Sequence, residues 1–451
     1  MNEAKITREL KEIIYYIRKY GIDRMNRDIH SILEDESLKT EFFTQVHKGF
    51  YFAQERALTL LTKILKERKR LKKELVVART AKNKQQQSQL TAAIEKSKYY
   101  ECVVRKTMDA LVWIIFNHQT SSVRRLYCRE EPIDITDSNL ESEIEYIAEY
   151  KNSHPDGFAL ICDLTSVAQI GDIITISLTD GIGIVELKEG HVNKQVIELI
   201  TEASKNPCPA YISCALQGKN PDFVKHLERT VKQIQKDNNV VNTINTGHGS
   251  DPKTGLGVHI TEGDLIENDY SIAMHDLSLN CSKSGYSIST IQNCLYVGVY
   301  DTAKFPDDMF NVWMQCLNTK TYTYDLRRSF IEPLAYPCFL HPFSETFMID
   351  IVTGKKLVKI ALGFDEWFKL LESYGCNPKW MGKKQTARVK AKNSIPGAWL
   401  EVDGHGIEIE KDGATMQLST GICSRIFSKF LTPLSACELI VELLQNTPPN
   451  N

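Results

Sequence analysis

The chain has 451 residues, 42% hydrophobic and 25% charged, with a formal net charge of −2. That length allows two or three domains with a sizeable core, and the composition is that of a folded globular protein. The charge excludes a uniformly basic nucleic-acid binder, and no apolar run approaches the ~18 residues of a membrane helix. The twelve Cys form no CxxC pair and the eleven His show no zinc-like spacing. Reduced core thiols and a charged N-terminus, Met1 to Lys5, in place of a secretory signal lead to a cytoplasmic expectation with no membrane partner.

Residues 1 to about 118 read as helix. Leu10, Ile13, Ile14 and Ile17, then Leu58, Leu61, Ile64 and Leu65, recur at helical spacing, and no Pro occurs before Pro132. The stretch 55–98 predicts one long helix or a hairpin turning near Lys82-Asn83-Lys84. Between residues 63 and 106 fourteen Lys and Arg, Arg105 and Lys106 among them, stand against four Glu. Lys69, Arg70, Lys72 and Lys73 are the densest part of this run. A solvated helix face and a phosphate-contacting surface both fit such a run. An arm of this length is equally suited to self-association or to a regulatory partner protein.

After Pro132 the pattern changes. Leu140 to Tyr150 predicts a helix, 158–164, 169–178 and 183–189 predict strands, and 193–204 predicts a further helix, which together indicate an α/β core. A helix is predicted over 218–238 with Phe223, Leu227, Val231 and Ile234 on one face. Residues 239–290 are turn-rich, and 294–300 read as a buried strand. From 306 a C-terminal α/β region follows, with helices near 306–317, 364–374 and 436–444 and short strands at 399–402 and 406–410. The expected domains are thus a basic helical arm over 1–130, a core over 131–305 and the C-terminal region over 306–451.

The chemistry concentrates in the core. Residues two apart on a strand share a face, so Glu186 and Lys188 point the same way, with Val185 and Leu187 packing on the other side. The short connection Thr179-Asp180-Gly181-Ile182 predicts a hairpin. Antiparallel pairing then brings Asp172, at the entrance of the first strand, level with Glu186 at the exit of the second. Two carboxylates and the backbone carbonyl of Leu187 are suited to Mg²⁺, which takes hard oxygen ligands and retains water. Lys188 is positioned to orient a water or hold a phosphate oxygen. On the preceding helix Leu140, Ile144 and Ile147 form the apolar face, and Glu143 borders it. Glu143 is therefore the candidate third acid, while Glu141, Glu145 and Glu149 are expected in solvent.

Asp172, Glu186-x-Lys188 and the helical Glu143 resemble the PD-(D/E)xK nuclease superfamily. The resemblance implies a restriction-endonuclease-like αβββαβ core within a mixed α/β fold, covering 138–204 and a last strand. It implies Mg²⁺-dependent phosphodiester hydrolysis, with Mn²⁺ as a substitute metal. DNA is favoured over RNA as the substrate, in a setting such as restriction or phage defence. Gly171 stands where the superfamily name has Pro. The last strand is either Leu295 to Tyr300, which requires an insertion over about 205–290, or Ala210 to Ser213. The alternative to a nuclease is a non-catalytic nucleic-acid-binding or scaffold protein on the same core.

Two other patterns are set aside. Gly247 to Thr254 approaches a phosphate-binding loop, but Pro252 replaces its second Gly and no helix pattern follows. Lys379, Lys383, Lys384, Arg388, Lys390 and Lys392 surround Trp380, a pattern shared by nucleic-acid surfaces and solvated loops.

Overall fold

The computed structural model describes residues 2–128, 131–136, 140–187, 190–205, 214–251, 255, 257–260, 267–317, 319–392 and 399–446. The architecture is mixed α/β: an N-terminal helical stretch precedes a region that mixes helices with small antiparallel sheets. Among the described residues no helix is long and apolar enough to cross a membrane.

The N-terminal stretch comprises α1 (Glu3–Arg18), α2 (Tyr20–Met25), α3 (Ile29–Glu34), α4 (Glu36–Thr80), α5 (Lys84–Ile115), α6 (Thr120–Leu126) and α7 (Leu140–Ser153). α4 and α5 form the expected hairpin. Its turn is made without Pro or Gly: Lys82 takes a left-handed backbone at φ 53, and the Asn83 side chain accepts the Gln86 N–H at 3.1 Å as the N-cap of α5. Leu71, Leu75 and Ala78 pack on Leu90 and Ile94 to close the hairpin tip.

The chain forms two compact units that interleave in sequence. One comprises residues 16–94 and 111–262, the other 1–15, 95–110 and 263–451. Helices α1 and α5 each carry residues of both units.

In the first unit β1 (Phe158–Ile161), β2 (Ile173–Ser177) and β3 (Gly181–Val185) form an antiparallel sheet in the order β1-β2-β3. Each strand is shorter than its apolar run. β1 ends in a 3₁₀ turn, Cys162–Leu164, and Gly171 at φ +70 breaks the extended backbone ahead of β2. β2 and β3 are joined by Leu178-Thr179-Asp180, with Gly181 at φ +70 as the first residue of β3. Gly181 and Ile182 therefore belong to the strand and not to the turn. α8 (Gly190–Lys205), α9 (Pro221–Thr246) and a hairpin of β4 (His248–Ser250) with β5 (Gly257–His259) complete the unit. That hairpin occupies the phosphate-loop-like stretch; Pro252 to Thr254 lie outside the described residues.

α4 closes the free edge of β1 with side chains. Gln54 Nε2 donates to the Ala159 carbonyl at 3.0 Å, the Ile161 N–H donates to Gln54 Oε1 at 2.9 Å, and the Ala159 N–H donates to the Tyr51 hydroxyl at 3.2 Å. An uncovered edge strand presents a row of unpaired backbone groups, and here one amide substitutes for a neighbouring strand. Phe50, Tyr51 and His47 pack around Phe158 on the same side.

In the second unit β6 (Tyr286–Ile291), β7 (Leu295–Asp301), β8 (Thr321–Asp325) and β9 (Lys356–Gly363) form a sheet in the order β6-β7-β9-β8. The Leu295 run is therefore a strand, but it pairs with β6 and β9 and does not extend β1-β2-β3. The other candidate last strand, Ala210 to Ser213, lies outside the described residues. A second sheet joins β10 (Asn377–Trp380), β11 (Glu401–Val402), β12 (His405–Lys411) and β13 (Ala414–Gln417). Two cations of the basic run are buried in this unit. Lys106 Nζ lies 3.1 Å from Asp109 Oδ2 and donates to the carbonyls of Glu332, Pro333 and Ala335, and Arg105 Nε donates to Glu101 at 3.1 Å. Neither contributes to a solvated basic face.

Replacing Gln54 with Leu would strand one buried acceptor and one buried donor of β1. We expect a loss of roughly 2–4 kcal/mol of stability, measured as a lower urea midpoint, whereas Gln87→Ala on the hairpin tip should cost well under half as much.

Candidate functional site

The register of β2 on β3 sets the site. Ile173 lies opposite Val185 and Ile174 opposite Ile184, and Asp172 and Glu186 are the residues next beyond the last pair on the two strands. The Asp172 N–H donates to the Val185 carbonyl at 2.8 Å, and its carboxylate Oδ2 accepts the Leu187 N–H at 2.5 Å. A charge-assisted bond of this kind ties the end of β3 to the start of β2. The alternation follows the sequence expectation: Val185 and Leu187 pack on Tyr150, Ala159 and Ile173, and Glu186 points the other way. There its Oε1 accepts a hydrogen bond from Gln233 Nε2 of α9 at 2.6 Å. Lys188 lies outside the described residues.

Glu143 is 2% exposed on α7, whereas Glu141, Glu145 and Glu149 are exposed. Its helix packs on the Val185 face of the sheet through Tyr146, Ile147 and Tyr150. Cys162 marks where these groups gather. Its N–H donates to the Asp172 carbonyl at 2.9 Å. Burial pushes its thiol pKa well up, and the carboxylates of Asp163, Asp172, Glu143 and Glu186 push it further. Four acids thus bear on one buried sulfur at the end of the sheet.

Hard carboxylate oxygens at Asp172 and Glu186 are the donor chemistry that Mg²⁺ or Mn²⁺ prefers. The Leu187 residue expected to add its carbonyl contributes its N–H to Asp172. Among the described residues no group of three or more His, Cys, Asp or Glu side chains is arranged to hold a metal ion.

The basic run divides into engaged and exposed groups. Lys69 Nζ donates to Thr136 Oγ1 at 2.6 Å and lies 3.3 Å from Asp134 Oδ2. Arg70 bridges Glu67 and Glu74 at i−3 and i+4, holding the Glu67 carboxyl down to about 2. Lys72 and Lys73 are exposed. Around Trp380, Lys379 pairs with Glu408 at 2.9 Å and Lys390 with Glu401.

Two residues at the site were missed in the sequence. Asp163 follows a fully buried strand at a 3₁₀ turn, a position that periodicity does not single out. Gln233 is 47 residues from Glu186. Of the predicted Phe223-Leu227-Val231-Ile234 stripe α9 buries Phe223 and leaves the others half-buried, while Thr230, Val240 and Thr243 are buried beside it. Comparison with protein-family models, with curated proteins and with solved structures finds no match to this chain.

Asp172→Ala removes the acceptor of the Leu187 N–H. Hydrogen exchange at that amide should accelerate by roughly tenfold or more, the factor that corresponds to a charge-assisted bond, while exchange at Ile174 changes little.

Proposed function

We propose that the chain is a metal-dependent phosphodiester hydrolase acting on DNA, with Asp172 and Glu186 holding Mg²⁺, or Mn²⁺ in its place. The observation that supports this reading is the β2–β3 register, whose last pair is Ile173 with Val185, so that Asp172 and Glu186 are the next residues beyond it on the two strands. When bound, the ion would lower the pKa of a water and offset charge on the scissile phosphate. Gln233 fixes one oxygen of Glu186. The Asp172–Leu187 bond fixes the opposite carboxylate. Lys188, two residues beyond Glu186, would orient the attacking water or hold a phosphate oxygen. Glu143 would serve as the auxiliary acid. Lys72 and Lys73, with Lys69 and Arg70 beside them, are the proposed backbone contacts.

A second reading has its own support. Asp172 and Glu186 already accept hydrogen bonds from protein donors, and carboxylates engaged in this way suit a non-catalytic nucleic-acid-binding or scaffold protein. The helical arm would then serve self-association or a regulatory partner.

The two readings separate on a substrate panel of supercoiled, linear and single-stranded DNA and RNA with Mg²⁺ or Mn²⁺. We expect cleavage by the parent chain, with DNA cut in preference to RNA. Glu186→Ala and Lys188→Ala should each lower the rate by about 10² or more, and Gln233→Ala by about 10–100-fold. A parent that cuts nothing, or variants that cut as well as the parent, would leave the binding reading in its place.

A further inference from the structure

On the α7 side of the β2–β3 hairpin lies a groove of about 320 Å³. It is lined by Tyr146, Glu149, Tyr150, Ser153 and His154 on the helix and by Thr175, Asp180, Gly181 and Gly183 on the hairpin. The helix residues are spaced three and four apart, so they form one stripe. The groove exists because of the alternation of β3. Gly181 and Gly183 are the helix-facing positions of this stretch, opposite Ser177 and Thr175, and they bring no side chain. Further along the same face Val185 and Leu187 fill the equivalent space. Gly183 also has no room for a side chain, since a Cβ there would meet Thr175 Oγ1 at 2.6 Å.

The wall is a ladder of flat rings. Tyr146 and Tyr150 lie nearly parallel, with centroids 6.2 Å apart and planes 16° apart, and Tyr150 and His154 follow at 4.3 Å and 15°. Near-parallel rings offer an outer face on which another flat ring can stack. They do not present the converging ring faces that enclose a spherical cation. The charges select the ring's chemistry. His154 Nε2 is paired with Asp180 Oδ2 at 3.0 Å, and Ser177 Oγ also donates to that carboxylate at 3.2 Å. The Glu149 side chain, exposed at the mouth, makes no hydrogen bond or ion pair among the described residues. A groove whose one open ionised group is a carboxylate repels phosphate and accepts N–H donors.

We propose that this groove binds a nucleobase of the guanine type, stacked on the Tyr146–Tyr150–His154 ladder, with its adjacent ring N–H and exocyclic amine donated to the Glu149 carboxylate. Guanine carries two such donors side by side on its pairing edge, so a carboxylate can accept both in parallel. Stacking on aromatic side chains supplies the sequence-tolerant part of the affinity. The choice of a base over other flat donors rests on the nucleic-acid reading above.

The test is calorimetric titration of the full chain, in EDTA, with GMP, AMP and choline. Fluorescence anisotropy is run in parallel with a single-stranded adenine oligonucleotide carrying one guanine and with its all-adenine counterpart. The guanine ligands should bind at least about tenfold more tightly than the adenine ones. Glu149→Gln should abolish that preference, and Tyr146→Ala should weaken both bases alike. Guanine binding by the oligonucleotide but not by GMP would assign the base to a strand; binding of GMP as well would extend it to free nucleotides. Equal binding of GMP and AMP, an unaltered preference in Glu149→Gln, choline binding in place of GMP, or no binding of any ligand would overturn the proposal. A chain that binds guanine but cuts nothing would retain the groove and lose the nuclease reading, and a chain that cuts without base preference would do the reverse.

Discussion

The pairing register between β2 and β3 governs the arrangement of the first unit. With Ile173 opposite Val185, the odd-numbered positions of β3 face α7 and the even-numbered ones face away. A slip of one residue would exchange the two sets, sending Val185 and Leu187 into the space of Glu186 and closing the groove with Ile182 and Ile184. The register is held at both ends. At the turn the left-handed Gly181 and the Ser177–Asp180 hydrogen bonds fix the loop. At the open end the Asp172 carboxylate holds the Leu187 N–H. One acid thus serves as a structural pin at the place where the proposed chemistry needs a ligand, and its orientation is set before any ion arrives.

The opposite edge of the sheet is governed by a different constraint. A three-stranded sheet has two edges for one central strand, and its backbone groups need partners. On β1 the partners come from α4, through Gln54 and Tyr51. The helix read from sequence as a basic arm is therefore, over this part of its length, a wall of the sheet. Its buried Leu60, Leu61, Ile64 and Leu65 carry that role, and the Lys and Arg between them occupy the remaining faces.

Much of this was legible where the physics is local. The hairpin turn at Lys82-Asn83 followed from a helix breaker-free run interrupted by polar residues. The orientation of Glu186 followed from strand alternation, whereas the helical phase that put Ile144 on the apolar face did not hold: Ile144 is exposed and Glu143 is buried. What was not legible depends on partners distant in sequence. The Leu295 run reads as a buried strand in any sheet, and periodicity cannot say which; its neighbours β6 and β9 decide it. Arg105 and Lys106 look like members of a charged face until the Glu332–Ala335 carbonyls and Asp109 surround Lys106. Gln54, 105 residues from Ala159, is a polar residue on a long helix until the strand edge reaches it. Gly181 reads as turn sequence and Gly183 as the start of a strand, and only the register makes the two the floor of a groove.

The account turns on whether a divalent ion sits between the two strand ends. Crystals of the full chain soaked in Mn²⁺ and measured at the manganese absorption edge test this directly. We predict one anomalous peak bridging the Asp172 and Glu186 carboxylates, lost in Glu186→Ala. Manganese bound elsewhere, with no peak between these two carboxylates in an accessible lattice, would contradict the account.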